Sequence, residues 1–345
     1  MKKFIKALLM SLVMVLALSA LVACNQAEEP AATTNGEQAT TAEPQADPIT
    51  IGIVQIVEHP ALDAARDGFI EGMTEAGFIE GENVIYDIQN AQGDQSTLST
   101  IADRFVNNEV DLILAIATPS AQAIAARTTD IPVIGTAITS YTAAELVDSD
   151  EVPGGNITGT TDMNPVGDQI QLAIDLVPDA QTIGLIYSSA EANSVYQINI
   201  AKQYIEDKGL QWEERTVENT NEVHQAMQSL VRSADVIYIP TDNVVASAMA
   251  IVGEIAGEAG IATITGESGM VASGGFATMG IDYFDLGMLS AVMAVEVING
   301  ADTATMSIRT VPGDEIVISE EALERLGKTI PDRFMPYVQR LDAAE

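Results

Sequence analysis

Short β-branched runs alternate with longer stretches of helical spacing along most of the chain, the pattern of parallel sheets wrapped by helices. Ile49 to Val57 predicts a buried strand and Ala61 to Ala76 the helix after it. Val84 to Gln89, a helix over 95–107, Leu112 to Ala117, a helix over 120–127 and Pro132 to Thr136 complete a first doubly wound lobe. Pro153-Gly154-Gly155-Asn156 punctuates the chain, and a short strand over 157–160 and a helix over 165–176 follow. The alternation restarts with strands over 182–187, 210–217, 235–239, 261–264 and 276–279, separated by helices over 193–207, 221–232 and 243–259. The expected fold class is α/β: two doubly wound parallel-sheet lobes, 49–160 with 280–330, and 161–279, with a hinge and a cleft between them. A helix over 283–299 and tail strands near 306–318 are expected to return to the first lobe, so that the chain crosses three times and leaves 331–345 as a tail. Ligands bind in such crevices, outside the carboxyl ends of the strands.

Ahead of the lobes, Lys2, Lys3 and Lys6 precede an uncharged apolar stretch from Ala7 to Ala23, the pattern of a secretory signal peptide over 1–23. That stretch is short for a comfortable bilayer span of about 20 residues. Leu21-Val22-Ala23-Cys24 resembles a bacterial lipobox, which makes Cys24 the expected lipidation site; the alternative is an uncleaved signal anchor with an incidental thiol. Residues 24–48 are rich in Ala, Thr, Glu, Gln and Pro and cannot bury a core, so a flexible tether is expected there.

Charge and rare residues narrow the function. With 15 basic against 50 acidic side chains the formal charge is −35, which argues against nucleic-acid binding, while 47% hydrophobic content excludes disorder throughout. A single cysteine allows no internal disulfide, and two histidines, His59 and His224, without HExxH spacing offer no metal site. No GxGxxG and no GxxxxGK[ST] occurs, so no cofactor is expected. Gly266-Glu267-Ser268-Gly269-Met270 is like a nucleophile elbow but lacks its last glycine, and no catalytic residue is assigned.

Small polar residues instead gather at predicted strand ends. Thr118-Pro119-Ser120 joins an apolar strand to a helix start, offering hydroxyls and free N–H groups to an anion; the same residues also make an ordinary helix cap. Thr136 closes the next strand. Asn193 and Ser194 open a helix in the second lobe, as donors or as a plain cap. Asp242 and Asp282 stand at strand ends where a ligand ammonium would pair with them, or where Asp242 would cap the following helix. Gln55, Glu58 and His59 stand at the end of the first strand and either line the cleft or cap a helix. A hydroxyl pocket facing acids complements a zwitterion, and an α-amino acid is the simplest such ligand.

Taken together, QIVEHPALD (Gln55 to Asp63), Asn90-Ala91-Gln92-Gly93-Asp94, AIATPSAQ (Ala115 to Gln122), PGGNITGT (Pro153 to Thr160), EANSV (Glu191 to Val195), PTDN (Pro240 to Asn243) and GIDY (Gly280 to Tyr283) resemble the ABC transporter substrate-binding lipoproteins whose better-known members take tryptophan, tyrosine or phenylalanine. The likeness runs from Ile49 to about Pro331. It implies a type I periplasmic-binding fold, lipid anchoring outside the cytoplasm, a monomer, and delivery of ligand to an ABC permease. It also implies a carboxylate site near Thr118, Ser120 and Thr136 closed by Asn193 or Ser194, an ammonium site at Asp242 with Asp282, and Gln55, Glu58 and His59 around the side chain, with Tyr283 or Tyr141 stacking. Ser120 stands where the family commonly has alanine. The same fold would also admit a sugar, nucleoside or signal molecule, but 5% aromatic content suits a sugar poorly.

Overall fold

A computed structural model describes residues 47–341. The signal peptide, Cys24 and almost all of the tether lie outside the described residues. The first lobe is built from β1 (Ile49–Gln55), α1 (Pro60–Glu75), β2 (Val84–Asn90), α2 (Gln95–Asn107), β3 (Leu112–Ile116), α3 (Thr118–Ala125), β4 (Val133–Ile138) and β5 (Ile157–Thr161). Its sheet runs β2-β1-β3-β4-β5, all parallel. Both faces of β3 and β4 are buried, as a central parallel strand requires, which is why β3 reads as an unbroken apolar run.

The second lobe follows with α4 (Val166–Leu176), β6 (Thr182–Ser188), α5 (Ala192–Asp207), β7 (Gln211–Val217), α6 (Thr220–Leu230), β8 (Val236–Ile239), α7 (Asn243–Ala246), α8 (Met249–Ala259), β9 (Ala262–Thr265), α9 (Ser268–Ala272) and β10 (Ala277–Gly280). The helix predicted over 243–259 is two helices. Asp242 caps the first through Val245 N–H, and Ala248, at φ −115° and ψ 15°, leaves helical geometry; no glycine or proline marks the break.

The chain then crosses to the first lobe as α10 (Tyr283–Ile298), which lies along α1. The two backbones approach through glycines. A Cβ on Gly68 would meet the Phe284 carbonyl, and one on Gly287 would meet the Ala65 carbonyl. Met306 stays in the first core, and Thr158 donates to its carbonyl at 2.7 Å. Beyond Arg309 the expectation for the tail is corrected. β11 (Glu315–Ser319) pairs antiparallel with β10, followed by α11 (Glu320–Leu326) and β12 (Val338–Gln339), so the second sheet runs β12-β11-β10-β9-β8-β6-β7. Ile318 and Phe334 are buried in the second core beside Phe276, and that apolar burial keeps residues 315–339 off the first lobe. Three crossings result, near 161–166, at 281–282 and over 309–315.

Gly287→Ala is expected to lower stability by about 1–3 kcal/mol, since the added methyl must push α10 off the α1 backbone. A thermal or urea melt reads this directly.

Candidate functional site

Residues that follow the carboxyl ends of strands in both lobes line a narrow cavity of about 10 Å³. His59 follows β1, Ala137 and Thr139 come from the end of β4, and Asp162 follows β5. From the second lobe come Asn193, Thr241, Asp242, Asn243 and Glu267, with Tyr283 at the start of α10. The lobes touch across it. His59 Nε2 meets Asn243 Oδ1 at 3.2 Å, Thr139 and Thr241 hydroxyls lie 3.2 Å apart, and Gln197 Nε2 donates to Thr139 Oγ1 at 3.2 Å.

The lining contains acids and no lysine or arginine. Asp162 is 3% exposed; the Tyr283 hydroxyl donates to its Oδ2, and its Oδ1 has no hydrogen-bond partner among the described residues. Burial raises its pKa above the ordinary carboxylate range. Glu267 caps α9 through the N–H groups of Gly269 and Met270, and burial pushes it up to about 7. Asp242 and, just behind the cavity, Glu191 are also raised, first by burial; for Glu191 the next cause is the neighbouring Asp242 charge.

The structure sorts the sequence candidates. Asp242 lines the cavity but also serves as a cap: Oδ1 accepts from Val245 N–H at 2.8 Å, and Oδ2 accepts from Ser188 N–H at 2.5 Å and from the Ser194 hydroxyl at 2.7 Å. Ser194 is therefore spent on Asp242. Asn193 lines the cavity; its Nδ2 donates to the Thr241 carbonyl at 2.8 Å and its Oδ1 is buried without a partner. Thr118 and Ser120, in the first turn of α3, have buried hydroxyls without partners; they do not border the enclosed space. Thr136, also behind it, accepts from the Thr160 hydroxyl at 3.0 Å.

Three expectations are corrected. Asp282 is exposed and caps α10 through Phe284 N–H at 2.8 Å, so its carboxylate points away from the cavity. Glu58 is exposed and borders a separate surface cleft with Asp63 and Asp67. Gln55 turns back on its own loop, donating to the Val57 carbonyl and to Asp63, each at 2.8 Å. Tyr141 lies in the first core and donates to the Thr160 carbonyl, so of the two tyrosines only Tyr283 borders the cavity. Sequence reasoning missed Asp162 and Glu267. Each stood in plain view as an acid just past a strand end, Asp162 after Ile157–Thr161 and Glu267 within the elbow-like segment.

A family model described as ABC transporter substrate binding protein matches residues 50–340. The chain belongs to that family. It is 41% identical over 312 residues to a protein of Clostridioides difficile named tyrosine-binding protein, covering 90% of this chain and 89% of the relative. Among solved structures, an ABC domain from Streptococcus pneumonia in complex with L-Trp has 36% identity and a TM-score of 0.82, over 86% of this chain and 100% of that one. A ligand-free, open substrate-binding protein with adhesive properties from Clostridium difficile has 42% identity but a TM-score of only 0.66, over 86% of this chain and 100% of that one. The less identical chain superimposes better, and the interlobe hydrogen bonds of this chain describe a closed arrangement. More distant likenesses, such as a leucine-binding protein of Thermotoga maritima at 14% identity and TM-score 0.58, show the type I periplasmic-binding fold.

As a substrate-binding component of an ABC transporter, the protein works outside the cytoplasm and takes a small molecule. Among the described residues no helix is long and apolar enough to cross a membrane, and no group of three or more His, Cys, Asp or Glu side chains is arranged to hold a metal ion.

Buried acids give the fold a pH dependence of determinate sign. Glu267 holds its proton up to about 7 when folded but releases it near the ordinary 4.5 when unfolded, so between those values the folded state binds more protons. Stability therefore falls as pH rises from about 4.5 to about 7, by on the order of 1.4 kcal/mol per pKa unit. Thermal melts at pH 5 and 7 are expected to show the drop, and Glu267→Gln to flatten it.

Proposed function

We propose that the protein captures an aromatic α-amino acid, binds it without chemical change, and passes it to the permease. The observation that carries this reading is that two buried acceptors on the cavity wall, Asp162 Oδ1 and Asn193 Oδ1, lack partners among the described residues. Each such atom costs about 1–3 kcal/mol when left unsatisfied, so a closed arrangement of this kind calls for a ligand that supplies the missing hydrogen bonds. An ammonium suits Asp162 Oδ1, with Asp242 adding charge. The Tyr283 ring and Leu62 supply apolar walls.

Support for an aromatic side chain comes from the two relatives, one named for tyrosine and one solved with L-Trp. The reading includes a monomer held to the membrane through an acylated Cys24, on the strength of the lipobox-like Leu21-Val22-Ala23-Cys24. A cleft with no activated nucleophile suits binding rather than catalysis.

Calorimetric titration with the twenty amino acids is expected to show micromolar or tighter binding, about −8 kcal/mol, for aromatic ones and none for sugars. Asp162→Asn is expected to weaken binding about 30-fold or more, because it leaves a buried ammonium unpaired. If Asp162→Asn binds like the unmodified protein, the ammonium is held elsewhere.

A further inference from the structure

We infer that His59 is the residue that selects among aromatic side chains, acting as a bare hydrogen-bond acceptor that demands a donor, a phenol O–H or an indole N–H, from the ligand. The inference rests on the reading above that the ligand is an aromatic amino acid, and it adds which ones fit.

Glu191 stands at one end of a chain of contacts that reaches His59. Its Oε2 receives the Asn243 backbone N–H at 3.2 Å, the Asn193 amide at 3.0 Å and the Asn243 amide at 2.6 Å. With three N–H groups donating to Oε2, a proton on Glu191 is placed on Oε1. The Asn243 side chain must therefore present its NH₂ to Glu191 and its oxygen to His59. Amide oxygens do not donate. His59 Nε2, 3.2 Å from that oxygen, must then carry the hydrogen.

The consequence falls on the other ring nitrogen. Burial lowers the His59 pKa below its ordinary value, favouring a neutral ring, and a neutral ring with its hydrogen on Nε2 has a lone pair on Nδ1. His59 borders the cavity, is 8% exposed, and its Nδ1 is buried without a partner among the described residues. Glu191 and Asn243 thus fix the tautomer from the second lobe, and the first lobe presents the acceptor. A ligand hydroxyl or N–H satisfies it, whereas a plain phenyl ring buries the lone pair unpaired. Glu191 and Asn243 are positioning residues.

Titration calorimetry of the unmodified protein with L-tyrosine, L-tryptophan and L-phenylalanine tests this. Tyrosine, tryptophan or both are expected to bind about tenfold or more tightly than phenylalanine. In His59→Leu the preference for donor-bearing ligands over phenylalanine is expected to shrink from about tenfold to within about threefold, and His59→Gln, which keeps an acceptor, is expected to retain part of it. Should His59→Leu not fold, the ligand series on the unmodified protein and His59→Gln still decide the matter. Equal affinities for all three ligands in the unmodified protein overturn the inference and leave the amino-acid reading standing. So does an equal loss for all three in His59→Leu, which would assign His59 only to lobe closure through Asn243. If no aromatic amino acid binds the unmodified protein, the amino-acid reading itself falls and takes this inference with it.

Discussion

Carboxyl groups buried at a lobe interface, with no basic partner among the described residues, are the constraint around which the rest of this protein is arranged. Asp162, Asp242 and Glu267 line one small cavity, and Glu191 stands behind it. Each is too costly to keep ionised in isolation, and each is raised above its ordinary pKa. Backbone N–H groups at helix starts offset part of that cost, as with Asp242 on α7 and Glu267 on α9. What they leave unsatisfied, above all Asp162 Oδ1, defines a place for positive charge. The cavity is thus selective before any side chain of a ligand is considered.

That arrangement is a product of topology. Parallel strands with helical crossovers bring all their carboxyl ends to one side, so residues far apart in sequence become neighbours: His59 and Asn243 meet across 184 positions. Helices that start just after those ends add their N–H groups, which explains why acids, serines and threonines recur there. The fixed Asn243 amide shows how far the polar order extends. Asn243 links Glu191, at 2.6 Å, to His59, at 3.2 Å, across the lobe boundary.

Much of the fold was legible in the sequence because apolar runs and helical spacing report burial directly. The strands from β1 to β10 fall within a residue or two of their expected positions. Residues 315–339 were misplaced because Glu315–Ser319 is apolar enough to close either sheet, and nothing local says which neighbour it meets. The break between α7 and α8 was invisible for a related reason: the apolar pattern runs through Ser247 and Ala248 without a glycine or proline. At the site, residue type identified His59, Asn193 and Asp242, which border the cavity, but not direction. Asp282 and Asp242 look alike as acids after strand ends, yet one faces solvent and the other the cavity. Asp162 was passed over although the strand before it was expected, because it sits in the stretch that joins that strand to the second lobe.

The three passages of chain between the lobes have a mechanical consequence. Two bodies joined by a single thread can twist, slide and roll, but three straps lying side by side resist torsion and shear while leaving bending about one axis soft. Each closing stroke then returns the same atoms to the same partners. A recognition scheme split across two bodies, with the lone pair on one and the group that orients it on the other, depends on that fidelity.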